Sequence, residues 1–203
     1  NRARWLPLVE CLDALGRHRG HAGAVVHHYE GTFAGSSWGV FGVTNVDLFA
    51  AGSPALESVL RPTVEYLLRR VYLHETDTGY ATYRGGETAL LRTRVSNFGQ
   101  RPVSGAVRFS LRDGGQDCAV LATLGKPVQI TPGATLDVHS PWPVPVGAPD
   151  FVHVTADLCA DERVVDREAN AFVVWTPAVL AAGPKLSRDG TRFRIGGRPQ
   201  FLM

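Results

Sequence analysis

The sequence predicts an α+β, multidomain chain. An αβα segment from the edge of an α/β domain occupies residues 1–75, an antiparallel β-sandwich residues 76–180, and a linker with a truncated β-hairpin residues 181–203. Three observations lead there. Apolar residues recur at helical spacing on both sides of a short apolar run in the first third of the chain. From about Thr76 the apolar period changes to two. Glycine- and proline-rich breaks then separate the alternating runs at short intervals.

Taken in order, Trp5, Leu8, Val9, Leu12 and Leu15 fall at three- and four-residue spacing and predict a first helix ending before Gly16 or Gly20. Residues 22–29, AGAVVHHY, form a compact apolar run bounded by glycines, as expected of a parallel strand buried on both faces. After a glycine-rich loop, Ser53-Pro54 opens a second helix, Ser as cap and Pro in the first turn, that runs to about His74 with a kink at Pro62. A lone parallel strand must complete some other sheet, so this segment reads as the end of a larger α/β domain.

Beyond Thr76, Ala89, Leu91, Thr93 and Val95 share one face of a strand, and Val107, Phe109 and Leu111 share one face of the next. The runs CAVLATL, TLDVHS, FVHVTADL and AFVVW follow, separated by DGG, PGA, a proline-rich PWPVPVGAP loop and DERVVD. About seven short strands at this spacing predict a sandwich, with Trp142 and Trp175 as plugs or packing residues. The end offers two hairpin turns, at Asp189-Gly190 and Gly196-Gly197. The closing Phe201-Leu202-Met203 reads as a strand cut in mid-course, and hence as the end of an excised piece.

Composition narrows the function classes. With 203 residues, the chain is shorter than the roughly 250 of a complete (β/α)₈ barrel. Hydrophobic residues are 44% and charged residues 20%, which predicts a buried core. Twenty-one basic against nineteen acidic side chains leave +2, with Lys126 and Lys185 the only lysines, so no nucleic-acid partner is expected. No apolar run approaches the roughly 18 residues that span a bilayer, so no membrane contact is expected, and no signal assigns a compartment. Cys11, Cys118 and Cys159 lack C-x-x-C spacing; a Cys118–Cys159 bridge and buried thiols both stay open.

The candidate chemistry gathers near the end of the first strand. Glu30 follows it, where α/β folds collect functional groups, and it is the candidate catalytic carboxylate, with His28 as a companion. His27 and His28 point to opposite faces, so they cannot both serve one metal without a bulge; with His18 and His21 they have no zinc spacing, and neither a metal site nor a cofactor is expected. Trp38, Tyr29 and Phe33 supply aromatic faces suited to pyranose rings, and Asn45 a polar partner for hydroxyls. Neither a phosphate loop nor a G-x-S-x-G elbow is present.

Two stretches carry family resemblances. Gly86, Glu87, Asn97, Gly99, Glu168 and Asn170 match the opening and closing pattern of bacterial immunoglobulin-like modules of the CARDB type, so this half of the chain resembles such a module. That resemblance implies an immunoglobulin-like sandwich serving as spacer or support. Gly190, Phe193, Ile195, Gly197, Pro199, Phe201 and Leu202 fit the hairpin that opens many glycoside hydrolases of the large retaining (β/α)₈ clan, which the tail resembles. The N-terminal strand and loop loosely resemble the last strand and following loop of such a barrel.

The resemblances imply a non-catalytic accessory or support region of a glycoside hydrolase acting on O-glycosidic bonds, contributing an aromatic loop to a sugar cleft. Its partners would be carbohydrate, met through the parent protein, and an adjacent catalytic domain. The apolar faces of residues 1–75 also predict self-association or a covering domain. Two alternatives stand beside this reading: a stand-alone carbohydrate- or protein-binding module, and an N-terminal segment completing an active site with His27, His28 and Glu30.

Overall fold

The computed structural model describes residues 3–115, 117–184, 186–189, 192–195 and 198–200. Strands dominate it. Strand β1 (Ala3–Leu12) turns at Asp13 into β2 (His18–His28), and β3 (Ser37–Phe41) follows, giving an antiparallel sheet in the order β1-β2-β3. The helix expected over Trp5–Leu15 is therefore a strand. Pro7 lies where a helix would need its N–H, at a cost of about 3 kcal/mol, whereas an edge strand tolerates proline. Asp13 closes the hairpin: its carboxylate accepts from the Leu15 and Arg17 amides at 2.9 and 3.0 Å, and Gly16 supplies a left-handed φ of 72°.

β2 also departs from expectation, because both of its neighbours run antiparallel to it. The first segment is thus three strands and a helix, not αβα. After a 3-10 turn at Val46–Phe49, a π-helical turn (Leu56–Leu60) runs directly into α1 (Arg61–Arg69). Pro62 sits at the start of α1, where its missing N–H is of no consequence, and it marks the change from π to α geometry. The helix ends at Arg70, in the left-handed conformation at φ 56°, instead of continuing to His74. It lies on β3, where the space above Gly39 is closed by Leu67 and Thr63.

The next strand, β4 (Val71–Asp77), straddles position 75 and pairs with the sandwich. It is followed by β5 (Thr82–Tyr83), β6 (Thr88–Asn97), β7 (Val103–Asp113), β8 (Val120–Ile130), β9 (Thr135–Pro143), β10 (Phe151–Ala160) and β11 (Arg163–Val174). They form two facing sheets, β4-β6-β9 and β5-β11-β10-β7-β8, antiparallel apart from the short β5–β11 pair. The period-two pattern is realised: Ala89, Leu91, Thr93 and Val95 point inward from one sheet and Val107, Phe109 and Leu111 from the other. Trp142 is buried against Phe172 as a core residue of β9. Gly105 is obligatory, because a Cβ there would stand 2.1 Å from the Cys159 carbonyl oxygen.

The stretch DERVVD, expected as a break, is instead a two-residue turn and the start of β11. Asp161 and Glu162 both adopt positive φ, 48° and 61°, the geometry of a type I′ hairpin usually built with Asn-Gly. Thr176 then caps α2 (Pro177–Ala182), accepting from the Val179 amide at 3.2 Å. Strands β12 (Leu186–Asp189), β13 (Arg192–Ile195) and β14 (Arg198–Gln200) close the chain as an antiparallel meander. The expected turn glycines Gly190, Gly196 and Gly197, and the closing Phe201, Leu202 and Met203, lie outside the described residues. Cys11, Cys118 and Cys159 are free thiols.

Candidate functional site

Alternation along β2 sends His27 and His28 to opposite faces, and the two faces differ in kind. His27 is fully buried, stacked on Tyr72 at 3.7 Å. Its Nε2 lies 3.1 Å from the Tyr66 hydroxyl, which donates to Asp166 Oδ1 at 2.9 Å. Because that single proton is committed to Asp166, His27 must donate from Nε2, leaving Nδ1 to accept from Ser37 Oγ at 2.7 Å. The other Asp166 oxygen accepts from the Leu73 amide and from Arg4 Nη1, both at 2.7 Å.

Arg4 is the hub of this network. It also donates to the carbonyls of Leu73, at 2.8 Å, and Arg167, and its Nε lies 2.5 Å from Glu168 Oε1. Burial works against its charge, but Asp166 and then Glu168 outweigh that and hold its pKa above the ordinary arginine value. Burial, followed by the Asp166 charge, pushes the Tyr66 hydroxyl up. Burial raises Glu168 too, with Arg4 opposing. Five elements, β1, β2, α1, β4 and β11, are thereby joined through side chains with no proximity in sequence.

A cleft opens beside this junction. Tyr29 lies flat on His74 at 3.5 Å and donates to the Leu73 carbonyl at 2.6 Å; His74 in turn meets Ser96 Oγ at 2.6 Å. Beyond that stack, an open trough of about 1220 Å³ runs across the outer face of β4-β6-β9. Trp5 and Glu30 stand on one side. On the sheet, Arg92 pairs with Asp77 at 2.5 Å and Arg94 with Asp137 at 2.9 Å. At the β11 edge, Asn170 donates to the Thr76 carbonyl at 2.6 Å, next to Glu168.

His28 belongs to a different surface. The loop after β2 folds back through bonds from the His28 amide to the Ser36 carbonyl and from the Gly35 amide to the His28 carbonyl, at 2.9 and 2.8 Å. This brings Phe33 edge-on to Trp38 at 5.1 Å, with the His28 ring 4.7 Å from Trp38. Phe33 and Trp38 remain about half exposed. Asn45 is occupied elsewhere, its Oδ1 accepting from the Asp47 amide at 3.0 Å to cap the 3-10 turn.

Of the residues singled out from sequence, Trp38, Phe33 and His28 therefore meet, Glu30 and Tyr29 line the cleft, and Asn45 stands apart. His18 and His21 contact each other at 5.0 Å, and among the described residues no group of three or more His, Cys, Asp or Glu is arranged to hold a metal ion. Arg4, Tyr66, His74 and Asp166 carried no motif, since the contacts that matter join positions as far apart as 4 and 166.

Comparison with protein-family models finds no match, and comparison with curated proteins finds none. Several solved structures similar to parts of the chain are glycoside hydrolases or related enzymes, matched over a small share of their own length. A cycloisomaltooligosaccharide glucanotransferase from Paenibacillus sp. is 22% identical, with a TM-score of 0.42, over 52% of this chain and 14% of its own. A putative β-galactosidase from Bacteroides fragilis is 16% identical, TM-score 0.41, over 64% of this chain and 18% of its own. The sporulation control protein Spo0M of Bacillus subtilis is 16% identical, TM-score 0.43, over 58% of this chain and 57% of its own.

Two outcomes follow from the network. Asp166→Ala removes the more buried of the two carboxylates facing Arg4 and is expected to cost about 3–5 kcal/mol of stability, measured by urea denaturation; a loss below about 1 kcal/mol would mean that Glu168 or water takes over its place. The second concerns acid. Unfolded, imidazoles titrate near 6.5, whereas burial and then Arg4 hold His27 down to about 3, and burial and then Arg94 hold His74 down to about 4. The unfolded chain therefore binds more protons below about pH 6.5, and stability falls as pH drops toward 4 by up to about 1.4 kcal/mol per unit per histidine. Denaturation midpoints across this range should show the slope, and His27→Gln should reduce it; equal slopes in both proteins would remove His27 as the cause.

Proposed function

We propose that the chain is a non-catalytic accessory and support region of a carbohydrate-active enzyme of the glycoside hydrolase kind. The observation that carries this reading is the Arg4–Asp166–Tyr66–His27 network, which ties the N-terminal sheet and α1 to the edge of the sandwich. A spacer that positions a neighbouring catalytic domain needs such stiffness, and a buried network of ion pairs and hydrogen bonds supplies it. The immunoglobulin-like pattern at Gly86–Gly99 and Glu168–Asn170 and the hairpin pattern of the tail support the same reading. In it, the sandwich that begins with β4 is the spacer, the N-terminal sheet and α1 are an arm that meets an α/β neighbour, and residues 181–203 are the opening of the next module.

A second reading, a stand-alone carbohydrate-binding module, is favoured by one observation: the half-exposed pair Phe33–Trp38 offers two aromatic planes on the face of β2-β3 turned away from α1. Catalysis by Glu30 with His27 and His28 draws less support, because His27 lies buried on one face of β2 and His28 on the other.

Two measurements separate these readings. A rigid arm requires the Leu73 amide, which donates to Asp166, to exchange with solvent as slowly as core amides such as Phe109; exchange at loop rates would sink the support reading. Trp38→Ala should leave retention in polysaccharide-containing gels unchanged for a support region, whereas abolished retention would establish the binding module with Phe33 and Trp38 as its platform.

A further inference from the structure

β3 ends the N-terminal sheet with an edge that no other strand of the described residues pairs. We propose that this free edge, together with the apolar side of α1 above it, joins the same edge of a second copy of the chain. The inference goes beyond the support reading and does not depend on it.

The edge itself comes first. β3 pairs with β2 in a register where the His28 amide donates to the Ser36 carbonyl and the Gly42 amide to the Ala22 carbonyl. Even-numbered residues of β3 therefore bond to β2, and the amides and carbonyls of Ser37, Gly39 and Phe41 point outward. Gly39 is exposed although Leu67 and Thr63 of α1 stand over it, so its exposure lies along the edge. Other edges in the molecule are blunted. β1 has Pro7 and a run of register shifts, β8 has Lys126-Pro127, β9 has Pro141 and Pro143, and β5 is two residues long. On β4 and β11, side chains take outward groups: Asp166 accepts from the Leu73 amide, and Arg69 and Arg4 donate to the Val165 and Arg167 carbonyls. β3, Ser-Trp-Gly-Val-Phe, carries no charge, proline or bulge, and an unprotected edge of this kind is a template for another strand.

The layers on either side of the edge say which strand. Tyr66 reaches His27 on β2, Thr63 and Leu67 stand over β3, and the next positions round the helix, Val64 and Leu68, face beyond the edge, 46% and 74% exposed. An incoming strand must bring apolar cover for these two residues, as a second α1 does. The spacing fits. Because α1 sits over the line between β2 and β3, pairing two β3 strands at about 4.8 Å sets the two helices about 10 Å apart, close to the interaxial distance of packed helices. A two-fold axis at Gly39 lets Gly39 exchange both hydrogen bonds with its copy and pairs Ser37 with the partner's Phe41. On the other face it sets Trp38 beside the partner's Val40, and both are half exposed in the single chain. The joined edges and helices bury on the order of 1,000 Å² in total, the small end of specific interfaces, so a reversible dimer is expected.

The test is sedimentation velocity on the intact chain from about 1 to about 200 µM, where a monomer–dimer equilibrium is expected. Leu68→Arg and Val40→Lys, both at positions exposed in the single chain, should each weaken dimerisation at least about tenfold. Leu15→Arg, as exposed but on the β1–β2 turn, should leave it unchanged. Slow exchange of the Phe109 amide in the sandwich core checks that the variants stay folded. Hydrogen exchange also reads the edge: the Gly39 amide should gain protection as concentration rises through the dimer midpoint. A monomer at every concentration, a dimer that survives both substitutions, or a Gly39 amide exchanging equally fast in monomer and dimer would each overturn the proposal. The first of these would leave the support reading standing, since that reading turns on exchange at Leu73 within one chain.

Discussion

The arrangement of this protein depends on one ion pair, Arg4 with Asp166, placed where water does not reach. A buried pair of this kind adds little net stability compared with apolar residues of the same shape, because both charges lose their hydration. It is unforgiving of any other geometry, however, since either charge left alone in the interior is expensive. Arg4 is satisfied only when β1 lies against β4 and β11, so one contact sets how the N-terminal sheet meets the sandwich. Tyr66 and His27 extend the same constraint to α1 and to the centre of that sheet.

The remaining features follow from this placement. Because the sheet and α1 dock at the β4–β11 edge, they roof only part of the outer face of β4-β6-β9. The uncovered part is the trough, where exposed residues of β6 and β9 pair across strands instead of being buried. The opposite face of the N-terminal sheet carries Trp5, Trp38 and Val40, which shield Val26 while remaining partly in solvent. The trough and the aromatic face are thus both consequences of one docking geometry.

The sandwich was largely legible in the sequence. Leu91, Val95, Phe109 and Leu111 announced their inward faces through strict alternation, a local property that survives without knowledge of the partner strand. The N-terminal third departs from the expected helix because Trp5, Leu8, Val9 and Leu12 satisfy a helical spacing by coincidence, whereas Pro7 suits an edge strand. At DERVVD the chain hid a hairpin, since Asp161 and Glu162 are not the residues that usually accept positive φ. Of the candidate site, Trp38 and Phe33 could be paired from their closeness in the chain. The cleft could not, because its walls come from positions near 5, 30, 75, 93, 138 and 169.

By itself, then, the sequence determined the β-rich core, the inward faces of its strands and the separation of His27 from His28, all of which follow from periodicity and local sterics. Only the tertiary structure decided that the first segment is a sheet, that β4 joins the sandwich, and that Arg4 finds Asp166. Those outcomes turn on which distant strand supplies hydrogen bonds and which distant carboxylate meets a buried charge. No local pattern encodes a partner 162 residues away.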